Sequence, residues 1–416
     1  MNPSLLLIPD RYKAAKLYSQ IPDSGDGDLT FARASVATRV NASGLIESVA
    51  SGVPRLDYTG GGCPSLLLEP QRTNIASYNE TDAGTWGATT PAASGTILGV
   101  NAYTILTNIG LGDSPHNQTI SQFVANTTYT ASVLVDFGFL TANFELGFLM
   151  FATAGISFRG ITVDRITKAI TTSGGVNEIT ALNSKATQIQ GNIYKIELTV
   201  AISSGATSIS GSRVYCHSST SLTTARIAAL QVEDGSYSTS YISKTTTASV
   251  TRLADAASKT GISSLIGQTA GTLFVEFFFN AQNNIPNGND KSVLRIKTGV
   301  GYADEIAISY FGNEGGSFGL TIAVQVTVNG VSQATMFSPQ TLTTGYHKAA
   351  FAYAVNDFVL AVDGQIAATD TSGSVPACVD FTMNEATRVQ SNINPKQVAL
   401  YTTRLSNAEL QSLTAL

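Results

Sequence analysis

The stretch "YKIELTVAI", residues 194–202, sets Tyr194, Ile196, Leu198, Val200 and Ile202 at alternate positions, with Lys195, Glu197, Thr199 and Ala201 between them. A period of two belongs to a strand with one buried face, because successive side chains of extended backbone point to opposite sides. The same texture extends in both directions. "YTASVLVDFGF" (129–139), "FELGFLMFA" (144–152), "FRGITVD" (158–164), "SGSRVYCHSS" (210–219) and "RIAALQVEDGSY" (226–237) are short strand-like runs separated by Gly, Ser, Asn and Thr. Many short strands without intervening helices predict an antiparallel sandwich or jelly roll over residues 76–250.

Residues 251–416 continue this pattern with sharper punctuation. "GTLFVEFFFNA" (271–281) reads as a strand. Asn329-Gly330 and Asp363-Gly364 are two-residue hairpin signals, since both positions of such a turn need positive φ. Ser406 followed by Glu409 is a capping box that starts a terminal helix, with Leu410 and Leu413 on one face. A second sandwich is expected here. The Thr/Ser/Ala-rich stretch 243–261, which has no clear period, is read as the linker between the two sandwiches.

Residues 1–75 look different. "LTFARASVATRVNASGLIESVASGVPRLDY" (29–58) contains Arg33, Arg39 and Arg55, and Arg72 follows in "CPSLLLEPQRTN". A short helix is expected over Asp10–Gln20, and then several short strands with narrow apolar faces. Ordering each residue costs about 1–2 kcal/mol of conformational entropy, so such a segment needs another surface to bury against. The expected fold class is therefore mostly β: an N-terminal anchor or oligomerisation segment (1–75) followed by two antiparallel β-sandwiches (76–250 and 251–416).

Composition narrows the function. Of 416 residues only 13% are charged, against about 25% in an average domain. The net charge of −5 and the absence of a Lys/Arg cluster argue against nucleic acid as a partner. No run approaches a membrane span. "MNPSLLLIPDRYK" has too short an apolar core for a signal peptide, so assembly in a cytosol is expected. Cys63, Cys216 and Cys378 are odd in number and far apart, and His116, His217 and His347 lack metal-ligand spacing. No metal or cofactor is expected.

Catalysis finds little support. A glycosidase needs two carboxylates about 5–10 Å apart. Asp26/Asp28 lie in a Gly-rich turn, while Glu233/Asp234 and Asp304/Glu305 are neighbours that point to opposite faces of a strand. There is no G-x-S-x-G elbow, and His347 at the start of a strand reads as a structural hydrogen-bonding group. No catalytic residue is assigned. For binding, the Asn-rich loop 280–292, with Asn287 and Asp290, is a candidate for sugar hydroxyls. So is the polar loop flanked by Tyr302 and Tyr310, with Asn313 inside it. One carboxylate is thin for calcium. Trp86, between Gly84 and Gly87, reads as core or as an accessible ring.

"FARAS", "ATRVN", "GLIE", "VPRLDY" and "SLLLEPQRTN" together make residues 5–75 resemble a segment near the start of many bacteriophage virion proteins, chiefly head-fibre and tail-fibre types. "GSYSTSYISKTTTASVTRLAD" (235–255) is similar to the close of jelly-roll carbohydrate-binding-type modules in the same proteins. "GYHKAAFAYAVNDFVLAVDG" and "VALYTTRLSNAELQSL" resemble concanavalin A-like, laminin-G-like sandwiches. The E-x-D-x-E strand of the glucanases in that class is absent.

The resemblance implies a virion protein, usually a homotrimer, with Arg33, Arg39, Arg55 and Arg72 at subunit or virion contacts and glycans as possible ligands. The other reading of the arginines is pairing with local carboxylates such as Asp57 and Glu69. The competing functions are a tailspike-like depolymerase and a ligand-free capsid decoration protein.

Overall fold

The computed structural model describes residues 2–77, 92–106, 117–120, 123–152, 155–174, 178–206, 209, 211–218, 224–279, 291–299, 301–311, 320–385 and 392–416. The chain forms two compact units. One gathers residues 1–44, 49–71 and 253–416; the other gathers 45–48 and 72–252. Both are built from antiparallel sheets, as the alternating sequence requires.

The first unit packs a nine-stranded sheet on a six-stranded one. The larger runs in the order Tyr12–Lys13, Lys16–Leu17, Leu29–Ala32, Ala256–Lys259, Asp380–Met383, Lys291–Thr298, Asp304–Phe311, Thr321–Val328, Val331–Phe337. The smaller runs Leu5–Leu7, Asn394–Tyr401, Ala270–Phe279, Gly345–Ala354, Asp357–Val362, Gln365–Asp370. Between them lies one core that includes Leu5, Leu17, Phe31, Phe277, Ile296, Ile308, Val324, Phe351 and Phe381. Both expected hairpins form. Asn329 and Gly330 have φ of 51° and 77°, and Asp363 and Gly364 of 47° and 79°. The helix Asn407–Thr414 carries the capping box, with Ser406 accepting from the Glu409 amide. It covers Phe274, Ala350, Ala352, Val359 and Ala399 on the outer side of the six-stranded sheet through Leu405, Leu410 and Leu413.

Three expectations change here. Residues 1–75 are not a separate unit: Leu5–Leu7 joins the six-stranded sheet, Tyr12–Lys13, Lys16–Leu17 and Leu29–Ala32 join the nine-stranded one, and Arg72–Asn74 pairs within the second unit. The expected helix over Asp10–Gln20 is instead a hairpin of Tyr12–Lys13 and Lys16–Leu17, turning at Ala15 with φ 60°. Pairing of Leu17 with Leu29 places Leu17 in the core, and that burial outweighs the weak local helix propensity. The stretch 243–261 is no loose linker. It holds the strands Val250–Arg252 and Ala256–Lys259, and between them Asp255, which is fully buried.

Asp255 is the hub of a buried ionic cluster. Its carboxylate accepts from Arg33 Nη1 at 3.1 Å, from Arg55 Nη2, and from the Glu69 amide at 3.0 Å. Arg55 Nη1 reaches Glu69 Oε2 at 2.8 Å. Arg33 also donates to the carbonyls of Ser35, Val53, Val49 and Ala50. Burial alone would lower the Arg55 pKa, but Asp255 and Glu69 outweigh it and raise it. Arg33 and Arg55, expected at subunit or virion contacts, are therefore spent inside this unit; their exposures are 2% and 0%. The alternative of pairing with Glu69 is what Arg55 does.

The second unit is also a sandwich. One sheet runs Ala92–Ile97, Val100–Leu106, Thr224–Asp234, Thr128–Asp136, Ile193–Ile202, Ile179–Gln190, with Arg72–Asn74 and Val250–Arg252 attached. The other runs Asn117–Ile120, Gly211–Ser218, Phe144–Ala152, Gly155–Val163, Ile170–Ser173. The opening stretch behaves as its period demands: Ile196, Leu198, Val200 and Ile202 are core, and Tyr194 packs against it. Glu233 is fully buried and accepts from Gln231 Nε2 at 2.7 Å and from the amide and hydroxyl of Thr239. Burial raises its pKa against these bonds. Asn74 ties the same region, accepting from the Ala76 and Val232 amides and donating to the Ile242 carbonyl. On the five-stranded sheet Tyr215 lies across Gly147 and Gly160, where an added Cβ would stand 2.2 and 2.1 Å from its atoms.

Asp255→Asn should lower stability by about 3–5 kcal/mol, because two buried guanidinium groups lose their shared counter-ion; urea denaturation would show it as a lower midpoint. Gly147→Ala should cost about 1–3 kcal/mol by overpacking against Tyr215, read as a lower thermal midpoint of the second unit.

Candidate functional site

Strand register lays out the outer face of the nine-stranded sheet row by row. Thr30, Ser258, Thr382, Arg295, Ala307, Gln325 and Thr335 are direct neighbours across seven strands. Asp380, Lys297, Glu305, Thr327 and Ser332 form the next row on one side. Ser292, Ser309, Ala323 and Phe337 form the row on the other. The intervening row, Phe381, Ile296, Ile306, Val326 and Ala334, points into the core. One side of the sheet is thus aliphatic, and the other displays hydroxyl, amide and charged groups over small side chains.

Arg295 organises this face although it is fully buried. Its Nη1 donates to Glu385 Oε2 at 2.8 Å, and its Nη2 to Glu305 and to the Gly301 carbonyl at 3.1 Å. Lys297 Nζ reaches the other Glu385 oxygen at 2.6 Å, and Thr382 Oγ1 donates to Glu385 at 3.3 Å. The guanidinium carbon lies 5.3 Å from the centre of the Tyr302 ring, within cation–π range. Two cations and two carboxylates balance, so the cluster is electrically neutral as a group. Two buried polar atoms on this face, Arg295 Nε and Ser292 Oγ, have no hydrogen-bond partner among the described residues. A buried donor without a partner costs about 1–3 kcal/mol.

The sugar-binding candidates divide sharply. Tyr302 joins the Arg295 cluster and is 45% exposed, the right state for a stacking ring. Asn287, Asp290 and Asn313 lie outside the described residues, as do Trp86 and His116. Lys291, Tyr310, Phe311 and Thr321 lie together at one end of this sheet. Tyr310 is core, with its ring 5.1 Å from Phe279. Arg39 donates to the Tyr12 hydroxyl at 3.1 Å and lies over that ring, and Arg72 lies 5.0 Å from the Tyr237 ring. No group of three or more potential metal ligands occurs among the described residues, and no helix there is long and apolar enough to cross a membrane.

Sequence reasoning missed Arg295, Lys297 and Glu385. A signal existed in "KSVLRIKT" (291–298), where cations alternate with aliphatic residues along one strand. Glu385 is 90 positions from Arg295 and carries no local mark.

No known family and no curated protein sequence matches the chain. Solved structures give partial likenesses. The CBM40 of Ruminococcus gnavus IT-sialidase is 12% identical, with a TM-score of 0.28 over 36% of this chain and 85% of that one. The SAP-like pentraxin of Limulus polyphemus is 10% identical, with a TM-score of 0.27 over 35% and 71%. The enzymatically active domain of tailspike protein 2 of bacteriophage CBA120 is 13% identical, with a TM-score of 0.29 over 39% and 26%. The fold, a protein of antiparallel β-sandwiches, rests on the strand register of this chain itself.

On the other sheet of the first unit, His347 has acceptors at both ring nitrogens: Asp363 Oδ2 2.7 Å from Nδ1 and the Thr343 carbonyl 2.8 Å from Nε2. Only the protonated ring can donate to both, so these contacts favour the imidazolium form. Burial lowers its pKa, but the Asp363 hydrogen bond, the Thr343 carbonyl and the Asp363 charge together raise it above 6.5. Since the folded-state pKa exceeds the unfolded one, this stabilisation is complete below about pH 6.5 and disappears as pH rises through the folded value. Thermal midpoints measured from pH 5.5 to 9 should fall across that window, and the His347→Gln variant should lose that part of the slope.

Proposed function

We propose that this chain is a structural and adhesive subunit of a bacteriophage fibre that holds neutral glycans without cleaving them. The carrying observation is the outer face of the nine-stranded sheet. Its hydroxyl and amide rows, exposed at Thr30 and Thr335 and half-buried at Gln325, complement sugar hydroxyls, and the half-exposed Tyr302 offers a ring to stack on. Since Arg295 and Lys297 are already matched by Glu305 and Glu385, the face has no surplus positive charge for an acidic sugar. Neutral glycans follow as the ligand class. The fibre assignment draws on the dense resemblance of residues 5–75 to virion proteins. Assembly as a homotrimer, contacts with other capsid or tail proteins and residence in the virion belong to the same proposal. Shallow sites of modest affinity suit it, because several copies on one particle raise the effective concentration of the second and third contacts.

Cleavage is the competing reading, and one observation favours it: two carboxylates, Glu305 and Glu385, converge on Arg295. Incubation with host surface polysaccharide separates the two. Binding without release of reducing ends supports adhesion; release that Glu385→Gln abolishes replaces adhesion with a depolymerase. Within the adhesive reading, Tyr302→Ala should weaken binding to neutral glycans about tenfold in calorimetry, the range of a stacking contact, with the thermal midpoint unchanged.

A further inference from the structure

The six-stranded sheet of the first unit has an outer face of two halves. The terminal helix Asn407–Thr414 covers the aliphatic half, formed by Phe274, Ala350, Ala352, Val359 and Ala399. The other half carries no covering element among the described residues and has a different chemistry. Strand register places Phe278 between Tyr346 and Asn394, and Glu276 between Lys348 and Gln397. The Phe278 and Tyr346 rings have centroids 5.4 Å apart and planes at 70°, which makes a corner. Tyr346 is 39% exposed. Lys396 Nζ stands 4.7 Å from the Tyr346 ring centre and 3.7 Å from Glu276 Oε1.

Exposed aromatic surface held on central strands is uncommon on a soluble sheet and marks contact sites. Among the described residues, the terminal helix covers the aliphatic half and nothing covers the aromatic one. Central strands hold the corner rigid, so little entropy is lost when a ligand docks. Lys348, the other cation beside Glu276, donates to the Ala415 carbonyl at 2.6 Å, next to the terminal helix, which leaves at the corner one ion pair, Glu276 with Lys396, and two amides, Asn394 and Gln397. Aromatic faces that take C–H bonds, ringed by neutral donors and acceptors, complement a pyranose: one apolar face and a rim of hydroxyls.

We infer that the Phe278–Tyr346 corner, with Lys396, Glu276, Asn394 and Gln397 at its rim, is a second carbohydrate site, specific for a neutral pyranose and separate from the Arg295 face. This rests on the glycan-binding reading above, and the two are tested apart. The full chain is titrated by calorimetry with neutral oligosaccharides terminating in glucose, galactose or mannose, and with a sialylated oligosaccharide as the acidic control. Two sites per chain are expected for a neutral ligand.

Tyr346→Ala should remove one of them, or weaken it at least about tenfold, and leave the site sensitive to Tyr302→Ala intact. Phe278→Leu, which keeps apolar volume but removes a ring, should do the same with an unchanged unfolding midpoint. Full binding by both corner variants overturns the second site and leaves the first standing. So does a change in molar mass on light scattering in the Tyr346→Ala chain, which would make the corner a contact between copies. Absence of neutral-glycan binding by the intact chain overturns both.

Discussion

Asp255 holds the first unit together. One carboxylate, out of reach of water, neutralises Arg33 and Arg55 and also accepts the Glu69 amide, while Glu69 returns a second bond to Arg55. Each partner comes from a different stretch of chain, so the cluster fixes where the 29–32, 56–57 and 65–66 strands sit relative to Ala256–Lys259. Charges buried this deeply stabilise only when every one is matched, and they strongly penalise any arrangement that leaves one alone. The cluster therefore selects one packing of a segment that has too little apolar surface to select it for itself.

With that segment in place, the nine-stranded sheet gains its first three strands and the six-stranded sheet gains Leu5–Leu7. Leu5, Leu17, Leu29 and Phe31 then share a core with Phe277, Ile296 and Phe381. The width of the polar outer face depends on this addition. Thr30 and Ser258 extend the row that Thr382, Arg295, Ala307, Gln325 and Thr335 begin. The same alternation that buries aliphatic residues on one side exposes hydroxyls and amides on the other, so the stability of the sandwich and the chemistry of its face come from one pattern.

Buried polarity recurs in both units in the same form. Glu233 with Gln231 and Thr239, Arg295 with Glu305 and Glu385, and His347 with Asp363 are each enclosed and each hydrogen-bonded. A chain with few charged residues places several of them inside. Ser and Thr take over much of the surface, which leaves faces that are polar but weakly charged.

The sequence by itself determined the strands, the hairpin turns at Asn329-Gly330 and Asp363-Gly364, and the capped terminal helix, because those depend on period and on φ preferences that adjacent residues carry. It also marked Tyr302 as a ring beside a polar loop. Only the tertiary structure decided which sandwich residues 1–44 and 49–71 join, since Arg33 and Asp255 are 222 positions apart and nothing local links them. It decided likewise that Asp10–Gln20 is a hairpin, because pairing with Leu29–Ala32 lies outside any local window. The Arg295–Glu385 pair and the Phe278–Tyr346 corner arise where distant strands come side by side. Register, which is a property of pairs of strands, brings such groups together, and no single stretch of residues contains it.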